Sequence, residues 1–88
     1  MKSTTIPRSF FRVRAVVARH VHAPVNQVRP QQSLRTELGL NQLDLALIAL
    51  QLEGQIGVEV PFLAIQRATT VRDLSECIDQ LTCPGRPG

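Results

Sequence analysis

Tryptophan and tyrosine are absent from this 88-residue sequence, and its only aromatic side chains are three phenylalanines. That is too few for a platform on which nucleic-acid bases stack. Cysteine is scarce as well. Cys77 and Cys83 supply neither a disulfide framework nor a metal site, and they suit a reducing, cytoplasmic setting. Long apolar runs are missing: the longest, residues 45–50, falls far short of the ~20 residues that cross a bilayer. Residues 1–5 lead into no apolar stretch of the kind a secretory signal needs. His20 and His22 have no Cys, Asp or Glu at ligand spacing, so no metal is expected. No phosphate loop or dinucleotide fingerprint occurs, and no neighbour in sequence nominates either cysteine as a nucleophile. What remains is a single domain of ordinary composition, 43% apolar and 19% charged, too small to build a deep catalytic cavity alone.

Charge is present but unevenly placed. Residues 1–37 carry seven Lys and Arg against Glu37 alone, whereas residues 38–88 carry three Arg against six Asp and Glu. A split of this kind marks either an anionic partner or a solvated basic face.

Periodicity predicts three substantial helices and one short one. From Ser9 to His22, Phe10, Val13, Val17 and Val21 fall within about 80° of helical arc, with Arg8, Arg12 and Arg19 on the other side. Pro7 and Ser9 suit the start of this helix, and Pro24 lies just past its end. Residues 23–41 read as a long loop that Val25, Val28, Leu34 and Leu38 pin to the core. A second helix is expected over residues 42–55, with Asn41 as N-cap, Asp44 in the first turn, and Gly54 and Gly57 at its fraying end. Residues 62–66 form at most a short helical turn. Thr70 caps the last helix together with Asp73, and Val71, Leu74, Ile78 and Leu81 give it an apolar face. The domain therefore spans residues 9–82, between a flexible N-terminus (1–8) and a flexible C-terminal tail (83–88).

The second helix is apolar on two sides. Leu45, Ile48, Ala49, Leu52 and Ile56 form one stripe, and Leu43, Leu47 and Leu50 form another about 140° or more away. Such a helix is either fully buried or buried on one side and sticky on the other. Complete burial is difficult in so short a chain, which favours an exposed leucine stripe.

Residues 38–44, Leu-Gly-Leu-Asn-Gln-Leu-Asp, followed by this helix, resemble the Leu-Gly-x-Asp-Ser-Leu-Asp signature of the acyl carrier protein family. Ser33-Leu34 resembles that family's loop Ser-Phe pair, Val60-Pro61 its Ile-Pro, and Thr69-Thr70-Val71 its Thr-Thr-Val. The pattern runs without a gap from Ser9 to Ile78, about four-fifths of the chain. The resemblance implies an all-α, acyl-carrier-like four-helix bundle with three main helices, one short helix and a long loop between helices one and two. It also implies a non-enzymatic carrier of the kind used in fatty acid, polyketide or other lipid biosynthesis. In that family 4′-phosphopantetheine is attached to the motif serine, and the corresponding position here is Gln42, flanked by Asn41, Leu43 and Asp44.

The departures from the family pattern fall where its chemistry resides. A glutamine amide has no hydroxyl to receive the arm, Ser33 matches a structural loop serine, and Ser75 lies within the last helix. No prosthetic group is therefore expected. Positions matching the family's docking acids are Leu47, Gly54, Phe62 and Leu63, so acidic steering has given way to apolar surface. Leu43, Leu47, Leu50, Phe62 and Leu63 are the candidate contact residues, with Phe62 alternatively folded beneath the loop. The leading expectation is a carrier-like adaptor without catalytic residues, whose partner is a biosynthetic enzyme or a second copy. The alternatives are a functional carrier modified at another residue and a basic module that binds nucleic acid or an anionic membrane.

Overall fold

The computed structural model describes residues 6–82. The element order is α1 (Phe10–Val21), a 3-10 turn (Val25–Gln27), α2 (Gln42–Ile56), α3 (Phe62–Arg67) and α4 (Val71–Thr82). Helix α1 packs against α2 and α4, and α3 packs against both α2 and α4. The architecture is the all-α four-helix bundle expected from the sequence. Among the described residues the only extended pairing is an isolated antiparallel bridge between Ser33 and Thr70.

Each helix buries one face. Phe10, Val13, Val16, Val17 and Ala18 of α1 meet Leu45, Ile48, Ala49 and Leu52 of α2, Ile65 of α3, and Val71, Leu74 and Ile78 of α4 in one core. Val21 and Ile56 reach only its margin. Buried Ser75 does not break the apolar packing, because its hydroxyl donates to the carbonyl of Val71 at 2.8 Å.

Helix α1 starts at the expected N-cap, Ser9, but its first donors are closed from another part of the chain. Ser9 makes no side-chain capping bond. Instead the Asp79 carboxylate, on α4, accepts the backbone N–H groups of Ser9 (2.7 Å) and Arg8 (3.0 Å). A carboxylate at the positive end of a helix satisfies its free donors and its dipole together. At the other end His22 turns into the left-handed region (φ 59°), and Ala23 N–H reaches back to the Ala18 carbonyl at 2.9 Å. Asp79→Ala is expected to cost ~1–2 kcal/mol and to speed amide exchange most at Arg8 and Ser9. Uniform exchange across the bundle would contradict this role for Asp79. The flexible N-terminus expected at 1–8 and tail at 83–88 lie largely outside the described residues. Of those inside, Pro7 is buried and Arg8 is held as above.

The long loop is more ordered than its sequence suggests. It contains the 3-10 turn and is stitched to the start of α4. Gln32 and Pro30 carbonyls accept the N–H groups of Val71 (3.0 Å) and Arg72 (2.8 Å), and Leu34 N–H donates to the Thr69 carbonyl at 2.9 Å. Loop carbonyls thus satisfy donors that the first turn of a helix leaves free. Val28 and Leu34 are buried as expected and Leu38 is partly buried, but Val25 is 46% exposed. The anchoring role expected of Val25 falls instead to Leu40, 3% exposed, because Gly39 adopts φ 68° and turns the chain between Leu38 and Leu40.

Candidate functional site at the start of α2

The first turn of α2 is fixed by a reciprocal cap. Asn41 Oδ1 accepts the Asp44 N–H at 2.8 Å, and Asp44 Oδ2 accepts the Asn41 N–H at 3.0 Å. Gln42 is the first helical residue and is exposed. Its side chain projects from a rigid helix start rather than from a loop. The far end of α2 is set by Gly57, which takes φ 72° and donates its N–H to the Glu53 carbonyl. Gly54, expected at the fraying end, lies inside the helix.

Asp44 has a second partner that the sequence did not reveal. His20, in the last turn of α1, lies 2.9 Å from Asp44 Oδ1 through Nε2. A carboxylate can only accept, so Nε2 carries the proton and donates. No spacing rule could find this pair, because the residues are 24 apart and meet only when α1 packs on α2. The Asn41 N–H, and secondarily the His20 bond, hold the Asp44 carboxyl below the usual aspartate value. A lowered folded-state value means that the ionised form supports the fold above the ordinary Asp range. That support is lost as pH falls through the lowered value. Asp44→Asn is therefore expected to flatten the acid limb of a stability-versus-pH profile measured by thermal melts. An unchanged acid limb would show that the pair contributes nothing.

The leucine stripe faces solvent. Leu43 is 67%, Leu47 41% and Leu50 62% exposed, whereas Leu45, Ile48 and Leu52 on the other side are fully buried. Leu63 of α3 is 72% exposed as well. Phe62 behaves differently and packs half-buried against the core. An apolar surface of this kind on so small a chain marks a contact site more often than an accident of packing.

The remaining sequence candidates are dispersed. Ser33 Oγ accepts the Thr36 N–H at 3.2 Å and the Ser33 N–H donates to Glu37, which makes it a turn residue. Ser75 is buried. Cys77 is half-buried, and burial pushes its thiol pKa up, away from a nucleophile's range. Cys83 lies outside the described residues. Arg8, ahead of α1, and Arg12 and Arg19 on it are exposed, and Phe11, 61% exposed, lies under the Arg14 guanidinium at 5.1 Å. No group of three metal-ligating side chains occurs among the described residues. No helix among them is long and apolar enough to cross a membrane.

Four helices, a long loop stitched to the last of them, and a capped second helix presenting one exposed residue at its first position define a carrier-type domain. The family model for a phosphopantetheine attachment site matches residues 12–78, and the chain belongs to that family. The side chain at the expected attachment position does not fit the group. Gln42 ends in a carboxamide, which offers no hydroxyl oxygen for a phosphate ester, and Ser33 and Ser75 are engaged in local structure.

Proposed function

We propose that this chain is a carrier-fold protein that bears no 4′-phosphopantetheine at position 42 and acts by protein contact through the leucine face of α2 and α3. The observation that carries this reading is the juxtaposition on one helix of a carboxamide at the attachment position and three exposed leucines beside it. The fold itself loses little by the exchange. Asn41 caps α2, so the helix start is kept while its chemistry changes.

Carrier domains work with partner proteins, and an apolar contact face takes over the work that acidic steering does elsewhere in the family. Affinity then depends on desolvating leucine surface more than on long-range attraction, which makes the association insensitive to salt. The contact residues are Leu43, Leu47, Leu50 and Leu63, with Phe62 at the margin. A photoreactive residue in place of Leu50 is expected to give cross-linked adducts in cells, and the same residue in place of Gln80 on α4 is not. Introducing Leu47→Glu alongside the position-50 probe is expected to abolish those adducts. Adducts that survive Leu47→Glu, or that form equally from position 80, would contradict the reading.

A further inference from the structure

We propose that the leucine face pairs with itself, α2 of one copy lying antiparallel on α2 of a second about a twofold axis between Leu47 and Leu50. This rests on reading that face as a contact surface, and it names the partner. At 100° per residue Leu43, Leu47, Leu50 and Gly54 lie within about 60° of arc, opposite the buried Leu45, Ile48 and Leu52. Their spacing of four, three and four residues is that of a seam between two packed helices.

The last position of the seam selects the partner. Gly54 is exposed, and a Cβ built on it would meet nothing within 4 Å, so the seam ends in an open gap. Antiparallel pairing lays Leu43 of each copy into the Gly54 gap of the other and sets Leu47 against Leu50. Parallel pairing would instead confront two gaps at one end and two Leu43 side chains at the other. The surface is thus complementary to its own reverse, as an isologous twofold contact requires.

Charge agrees with this arrangement. The carboxylates flanking the seam are Asp44 on one side and Glu53 on the other. Both are engaged within their own chain: Asp44 by Asn41 and His20, and Glu53 by the Val60 N–H at 2.7 Å. Antiparallel pairing brings the Asp44 flank against Gln51 and the Glu53 flank against Ala46, so no like charges confront one another. A fifteen-residue helix is about 22 Å long. Even with Leu63 added, the surface is smaller than the ~800 Å² per partner of a standard stable complex. The dimer is accordingly weak and reversible.

Sedimentation equilibrium of the full chain, from micromolar to near-millimolar concentration, tests this. The weight-average mass is expected to rise toward twice the monomer. Leu47→Gln and Leu50→Gln, each with unchanged helical circular dichroism, are expected to raise the dissociation constant ~tenfold or more. With Cys77→Ala and Cys83→Ser in place, copies carrying Leu43→Cys are expected to form a mixed disulfide with copies carrying Gly54→Cys. A monomer at every concentration, or Leu43→Cys pairing preferentially with itself, would overturn the proposal. If the chain is monomeric while position 50 still cross-links a different protein, self-pairing fails and the contact reading stands. If neither association occurs, both fail.

Discussion

Leu34→Ala is expected to lower the unfolding free energy by ~3.5 kcal/mol, the middle of the range for a fully buried leucine. That is a large share of the ~4–13 kcal/mol available to a chain of this length. Leu34 belongs to no helix, yet it is 0% exposed, and its backbone links three segments. Its N–H donates to Thr69 before α4, and its carbonyl accepts the Leu40 N–H ahead of α2. The side chain therefore anchors the loop, and through the loop the starts of α2 and α4. Truncation removes buried apolar area and leaves a cavity whose walls are helices that cannot easily close on it. Urea unfolding followed by circular dichroism measures the loss. A change below ~1 kcal/mol would mean that the loop is a passive connection.

The second large effect is a contrast within one helix. Leu52→Ala is expected to cost ~2–5 kcal/mol, whereas Leu50→Ala, measured on the dilute chain, is expected to stay within ~0.5 kcal/mol. The two residues are neighbours but one on the same helix, of the same type, and suffer the same truncation. Only their faces differ: Leu52 is 0% and Leu50 62% exposed. Comparable losses would show that both faces of α2 are buried in solution and that the leucine surface is already covered. The contrast described here would leave Leu43, Leu47 and Leu50 as side chains that stability does not require.

Much of this was legible in the sequence, for a physical reason. Helix α2 was readable because its cap, its period and its terminal glycine act locally: Asn41 and Asp44 are three residues apart, and Gly57 follows the last turn directly. Its two apolar stripes were readable because a helix converts spacing into direction. The loop was not readable in the same way. Val25 and Leu40 are both apolar residues in irregular backbone, which has no period to say which points inward. The positive φ at Gly39 decided in favour of Leu40. The ties between distant segments were least visible. His20 reaches Asp44, and Asp79 reaches Ser9, across gaps of 24 and 70 residues, and both depend on packing that no local signal encodes. Ser9 does stand at the N-cap of α1 as its sequence suggests, but the bond at that end comes from a carboxylate of α4 rather than from the Ser9 hydroxyl.

The departures from the family pattern converge on one region of the surface. Gln42 stands at the first position of α2. Leu47 and Leu63, at positions where the family resemblance implies acids, are exposed here. The chain is basic, net +3, with arginines concentrated along α1. On the proposed reading, a carboxamide at the attachment position beside exposed leucines, with the helix cap kept, makes a contact module on a carrier scaffold.

On the proposed reading, this scaffold has parted from its prosthetic group. Intact-mass spectrometry of the purified chain, after incubation with a phosphopantetheinyl transferase and coenzyme A, measures that directly, with an unrelated serine-bearing carrier as positive control. This chain is expected to keep its mass while the control converts completely. A phosphopantetheine increment on this chain would contradict it, and fragmentation would then show which residue carries the arm.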